Sequence, residues 1–306
     1  MFRAREGHLP HRPHLWVDRP VGTGIGRFRR LFLARKRIQA VRSFLREYPS
    51  VNRIVVKGAS LEILAAKREK RKERIYISDT ESNHIAHRLA LRGATSILLP
   101  KSWRKEASTG IFTDSRVKCY PEILPDLYID TEQGISIRNQ AIAQLHESIQ
   151  GMTDDGSAAP IVFHRRIIGG GIHDGDEIIN YQDWIRNLPV HFIHTKESAV
   201  EATDGVWDMP IQIAMFDGVL TGSTTTAAEA VIHGMPTFLI SKAERGFLDE
   251  LEIRRPDLLF RWRSTLSDEF DRIARDWIEA MAEIRRPSQI QTEIIEFFEK
   301  ELGPIA

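Results

Sequence analysis

The stretch Phe216-Asp217-Gly218-Val219-Leu220-Thr221-Gly222-Ser223-Thr224-Thr225-Thr226-Ala227-Ala228-Glu229-Ala230-Val231-Ile232-His233-Gly234-Met235-Pro236-Thr237 joins an apolar strand to a hydroxyl-rich turn and then to an alanine-rich helix. Gly234 ends the helix, because glycine adopts the left-handed conformation cheaply, and Pro236 keeps it from resuming. A strand that feeds a helix through so short a turn belongs to a parallel sheet covered by helices. The turn Gly222, Ser223, Thr224, Thr225 and Thr226 presents backbone N–H groups and hydroxyls at the positive end of a helix dipole. That arrangement suits a phosphate or diphosphate. Glu229 lies one turn further on, where its carboxylate can accept hydrogen bonds from ribose hydroxyls. The same residues also make an ordinary threonine cap ahead of a packing helix, and both readings stay open at this point.

The strand–helix rhythm extends in both directions. Downstream of the polar, small-residue stretch 151–160, strands are predicted over 161–164, 190–194, 218–221 and 237–240. A helix is predicted over 225–233, and two closing helices over 267–284 and 288–302. Upstream, strands are predicted over 53–57, 74–78, 96–99 and 117–120, with helices over 60–66 and 83–92. Ile54, Ile75, Ser96 and Val117 follow one another at 21-residue steps, about one strand, one crossover helix and two turns. The fold class expected is α/β, with two Rossmann-like domains over 1–152 and 160–306 that face each other across a cleft.

Bulk properties narrow the function classes. The chain has 306 residues, 42% of them hydrophobic and 28% charged, as in ordinary globular proteins. No apolar run approaches the roughly 20 residues of a membrane span, and no secretory leader pattern opens the sequence. The single cysteine, Cys119, excludes an internal disulfide and multi-cysteine metal sites. A reducing, cytoplasmic location is expected, with the inner face of the membrane as a variant. Residues 1–130 carry 27 Lys and Arg against 13 Asp and Glu, whereas 131–306 carry 16 against 29. Such asymmetry suggests either an anionic partner for the first half or two mutually attracting domains. Residues 27–47 form a basic helix with apolar residues at Phe28, Leu31, Phe32, Ile38, Val41 and Leu45. It reads as a core-packed helix with a solvated basic side, or as a peripheral membrane contact; nucleic acid is the least favoured partner.

Several motifs together resemble a known family. Glu229-Ala230 and Gly234-Met235-Pro236 are similar to the nucleotide-sugar loop of GT-B glycosyltransferases and of the related non-hydrolysing UDP-N-acetylglucosamine 2-epimerases. Asp79-Thr80-Glu81, Arg88-Leu89 and the 96–100 strand ending in Pro100 resemble domain-of-unknown-function family 354, which is glycosyltransferase-like. His164-Arg165-Arg166 looks like the His-Arg-Arg of the epimerases, where arginine meets the nucleotide. The resemblance implies a nucleotide-diphosphate sugar, UDP-linked, held by His164, Arg165, Gly222, Ser223, Thr224, Thr225, Thr226 and Glu229. No further cofactor and no metal are implied, because a helix N-terminus and arginine stabilise the leaving diphosphate. The basic surplus of residues 1–130 suggests that the acceptor is phosphorylated, lipid-linked or otherwise anionic.

Asp79, Glu81 and His84 are the acid–base candidates, since they sit at a strand end and a helix start beside the expected cleft. The same Asp-Thr-Glu step also reads as a cap with a dipole-favouring acid. Epimerisation of the sugar at C2 is the alternative reaction. The family opens with a strand and a glycine-rich turn, and this chain reads as beginning after them, without a first strand and helix; Gly22-Thr23-Gly24-Ile25-Gly26 lacks a convincing strand before it. A degenerate nucleotide- or polyanion-binding protein is therefore the remaining alternative.

Overall fold

The structure, a computed structural model, describes residues 27–107, 110–150, 159–166, 179–196, 209–264, 266–282 and 292–303. The elements run α1 Arg27–Glu47, β1 Arg53–Lys57, α2 Ser60–Arg68, β2 Glu73–Ile77, α3 His84–Gly93, β3 Ser96–Pro100, β4 Val117–Tyr120 and α4 Thr131–Gln150. They continue with β5 Ile161–Arg166, α5 Gln182–Ile185, β6 His191–Lys196, α6 Met209–Gln212, β7 Gly218–Thr221 and α7 Thr224–Ile232. The chain ends with β8 Thr237–Ile240, α8 Gly246–Arg254, β9 Leu259–Trp262, α9 Ser267–Met281 and α10 Thr292–Leu302.

The first sheet is parallel and follows chain order, β1-β2-β3-β4. Every strand is added on the same side, so right-handed crossovers send α2 and α3 to one face. Alternation along the strands then sorts the side chains. Val56, Tyr76, Ile97 and Leu99 pack with Ile63, Ala86 and Ala90 on the helix side. Ile75, Ile77, Leu98 and Tyr120 point the other way and are covered by Ile294 and Phe298 of α10. The last helix thus closes the first sheet.

Helix α1 lies against α2. Ile38 and Leu45 are buried, Arg42 and Arg46 both meet Glu69 at 2.6 and 3.0 Å, and Arg37 meets Glu62. The inner face is therefore core-packed and part of its basic charge is spent on α2. Leu31 and Phe32 are exposed.

The second sheet is also parallel, in the order β6-β5-β7-β8-β9. The winding reverses at β5, which places a topological switch point between the C-terminal ends of β5 and β7. On one face Val162, Leu220, Phe238 and Trp262 pack with Phe270, Ile273 and Trp277 of α9. The other is filled largely by α7 and α8, through Ala227, Val231, Leu248 and Leu251 with Leu239. Gly234 adopts φ +80°, and the amides of Gly234 and Met235 reach back to Val231 O and Ala230 O at 3.0 and 2.9 Å. These are the two bonds of a Schellman stop, as the glycine predicts.

Two helices exchange hosts. Helix α4 falls within 1–152, yet a Cβ on its Gly134 would lie 2.4 Å from His233 Nδ1 at the end of α7. Its Arg138 Nη1 donates to Met235 Sδ at 3.0 Å. Helix α10 falls within 160–306 and packs on the first sheet.

The sequence reading gives no helix over 131–150, and neither α8 nor β9. Helix α4 is polar along most of its length, so its periodicity is weak. Strand β9 follows Pro256 as a short apolar run, which periodicity cannot separate from a buried helical turn. The expectation that a first strand is missing falls on residues 1–26, outside the described residues, as do 151–158 of the expected linker. No helix among the described residues is long and apolar enough to cross a membrane.

Candidate functional site

Strand β7 ends at Thr221, and the chain turns through Gly222 and Ser223 into α7. Two amides of this turn are taken by the protein. Ser223 N donates to Thr221 Oγ1 at 3.0 Å, and Thr226 N donates to the Ser223 hydroxyl at 3.4 Å. Ser223 is the N-cap, in extended conformation with φ −84°. A single cap satisfies only part of a helix N-terminus. No acceptor among the described residues meets the amides of Thr224 and Thr225, and Thr225 is exposed. The hydroxyl-bearing turn is thus both the capped start of a helix and an open pair of donors at its dipole.

Arg165 extends from the neighbouring strand across the switch point, and its Nη1 donates to Thr226 Oγ1 at 3.0 Å. His164, one residue earlier, points to the opposite face. It is 2% exposed and lies between His194 Nδ1 at 2.8 Å and the Tyr181 hydroxyl at 2.9 Å. Of the expected His164–Arg165 pair, only Arg165 is therefore brought to the turn, as strand alternation requires. Glu229 is 5% exposed; its Oε1 accepts from the Tyr128 hydroxyl at 2.8 Å, and its buried Oε2 has no partner among the described residues. Burial pushes the Glu229 carboxyl up, against the Tyr128 hydrogen bond and the charges of Arg165 and Lys57.

The opposite wall is the C-terminal edge of the first sheet. A narrow crevice is lined there by Lys57, Asp79 and Tyr128 facing Thr225 and Ala228, with room for at most one water molecule. Asp79 Oδ2 lies 3.0 Å from Lys57 Nζ, and Asp79 Oδ1 accepts from the Thr80 hydroxyl at 3.2 Å.

The three acid–base candidates do not come together. Asp79 lines the crevice. Glu81 is 1% exposed, and its Oε1 accepts from Arg104 N at 3.1 Å and from Gly246 N, across the two units, at 2.9 Å. It acts as a clasp. Gly246 is required by this contact, since a Cβ there would lie 1.7 Å from Ser102 O. His84 opens α3 and is exposed to solvent; Asn83 caps that helix by accepting from Ala86 N.

Beside the clasp, Arg104 Nε pairs with Asp249 at 2.5 Å and its Nη1 with Glu244. Lys118 meets Glu301 at 2.6 Å. Part of the charge asymmetry between the halves is spent in these pairs.

Lys57 and Tyr128 escaped the sequence reading as site residues. Lys57 ends β1 as Asp79 follows β2, so the strand-end rule that selects Asp79 selects Lys57 too. No spacing places Tyr128 against a residue 101 positions away.

No protein-family model matches the chain, and no curated protein matches it. Solved structures do resemble it. The UDP-GlcNAc 2-epimerase from Neisseria meningitidis, bound to UDP-GlcNAc, superposes with a TM-score of 0.51 at 13% identity, over 93% of this chain and 84% of that one. A Listeria monocytogenes protein assigned as a UDP-N-acetylglucosamine 2-epimerase gives 0.50 at 10% identity, over 88% and 78%. At these identities the likeness concerns architecture: two parallel α/β sheets facing across a crevice, the GT-B fold.

Proposed function

We propose that the chain binds a nucleoside-diphosphate sugar, with UDP as the carrier, and transfers the sugar to an anionic or lipid-linked acceptor. The observation that carries this reading is the open pair of Thr224 and Thr225 amides at the head of α7, beside the switch point. Diphosphate oxygens supply the acceptors those donors lack, and Arg165, always charged, stands next to them. Glu229 Oε2, buried and without a partner among the described residues, has the chemistry to accept from a ribose hydroxyl.

Transfer forms a bond from the acceptor oxygen to the anomeric carbon while the bond to the diphosphate breaks. The acceptor proton must go to a base, and Asp79 is the one acid–base candidate on the crevice wall. Asp79 Oδ2 is held 3.0 Å from Lys57 Nζ on that wall. The leaving diphosphate would collect its charge stabilisation from the α7 amides and Arg165. The basic surplus of the first unit supports an anionic acceptor, and the outer residues Arg29, Arg35 and Lys36 of α1 are exposed. The order of motifs from Asp79-Thr80-Glu81 to Gly234-Met235-Pro236 supports kinship with domain-of-unknown-function family 354.

Epimerisation of a UDP-sugar is the second reading, favoured by the likeness to an epimerase bound to UDP-GlcNAc. Thermal unfolding against a panel of nucleosides, nucleoside diphosphates and their sugars tests the shared site. One diphosphate should raise Tm where its nucleoside does not. Incubation with that sugar nucleotide alone then separates the reactions, because only epimerisation yields an isomer without an acceptor. No shift with any diphosphate would overturn the nucleotide reading.

A further inference from the structure

The Tyr128 side chain occupies a position that the proposed ligand needs. It follows the 3-10 turn Leu124–Leu127, lines the crevice opposite Lys57 and Asp79, and is 49% exposed. Its hydroxyl nevertheless reaches inward and donates to Glu229 Oε1 at 2.8 Å. Desolvation, and then the Glu229 charge, raise the phenol well above its ordinary range, so it remains a neutral donor. A buried carboxylate deprived of donors is costly, and Tyr128 supplies one donor where two oxygens call for them.

On the nucleotide reading above, we infer that Tyr128 is a displaceable stand-in for a ligand hydroxyl on Glu229. Binding then exchanges one O–H to carboxylate bond for another and turns a half-exposed ring out of the crevice. The exchange gains nothing for a ligand with a single hydroxyl in reach, since that hydroxyl only replaces the tyrosine. A ligand with two vicinal hydroxyls replaces Tyr128 at Oε1 and also satisfies Oε2. The contact therefore lowers affinity for every ligand whose hydroxyls must displace it, while the second hydroxyl, which alone satisfies Oε2, favours a ribonucleoside over a deoxyribonucleoside.

The test is Tyr128→Phe, which keeps the ring and removes only the donor. Dissociation constants are measured for UDP, CDP, ADP and GDP, then for the 2′-deoxy counterpart of the best binder, and for inorganic pyrophosphate. The variant should bind the ribonucleoside diphosphate about fivefold more tightly, the size of one ordinary net hydrogen bond. The 2′-deoxy form should gain by about the same factor, since it displaces the same bond, pyrophosphate should be unchanged, and the ligand-free Tm should fall. A purely structural tie behaves differently: its loss lowers Tm and weakens binding together. Unchanged or weaker ribonucleotide binding in the variant overturns the stand-in role and leaves the nucleotide site intact. Equal tightening of pyrophosphate overturns it too, because the crevice has then merely opened. If none of the four nucleotides binds either protein, the nucleotide reading and the stand-in role fall together.

Discussion

The turn after β2 and the turn after β7 are written in the same grammar and do opposite things. Each leaves the C-terminal edge of a parallel strand, runs through short polar residues and opens a helix. Each helix is capped by a side chain, Asn83 accepting from Ala86 N and Ser223 accepting from Thr226 N. In the first turn the acid is folded inward, where Glu81 serves the amides of Arg104 and Gly246. In the second, the Thr224 and Thr225 amides meet no acceptor among the described residues and lie beside a crevice. What the opposite unit brings to a strand-end polar turn decides which of its polar groups are satisfied within the protein. Here the same opposition supplies Gly246 to one turn and Lys57 with Tyr128 to the other.

Substitutions at the two turns should therefore fail in different assays. The largest effect is expected for Glu81→Ala, which strands two amides in the interior. A loss of about 3 kcal/mol in urea-induced unfolding follows from two such bonds, and Glu81→Gln, which keeps an acceptor oxygen, should recover most of it. A Glu81→Ala protein of unchanged stability that has lost only activity would reverse the contrast between the turns.

Glu229→Ala comes next. It should abolish the nucleotide-induced rise in Tm, with at least about a tenfold loss of affinity, or ~1.4 kcal/mol. Ligand-free stability should move by less than about 1 kcal/mol, because the half-exposed Tyr128 hydroxyl can turn to water. Lys57→Met should weaken diphosphate binding several-fold, roughly 1 kcal/mol, and the deficit should shrink as salt rises, since Lys57 is half-exposed. An effect independent of ionic strength would show that Lys57 acts through packing.

A further expected effect is a pH dependence outside both turns. Burial, then the neighbouring Asp126, push the Glu122 carboxyl up to about 7. The folded state then holds a proton that the unfolded chain releases near the ordinary carboxylate range. Glu122 accordingly contributes stability below about pH 4.5 that is lost as pH rises toward 7. Denaturant titrations at pH 5 and pH 8 should show this decline, and Glu122→Gln should flatten it.

The strand–helix rhythm and the β7–α7 turn were legible in the sequence because both rest on local chemistry. Short unbroken apolar runs define β1 to β3, Gly234 stops α7, and the run of threonines marks its head. Arg165 follows from its strand-end position. The partition of function among the acids was hidden. Nothing near Glu81 announces Gly246, which lies 165 positions away, and Asp79 differs from Glu81 only in what stands across from it. His164 was selected by motif and turned inward by strand parity, where His194 and Tyr181 receive it.

The exchange of α4 and α10 has a practical consequence for dissecting the molecule. Expressed alone, residues 27–150 would carry an unshielded apolar sheet face at Ile75, Ile77, Leu98 and Tyr120, normally roofed by the chain's last helix. The complementary fragment would lack the helix that presses on His233. Each half should be sticky by itself and recover only when both are produced in one cell, so the two lobes are better regarded as interlocked partners than as separable modules.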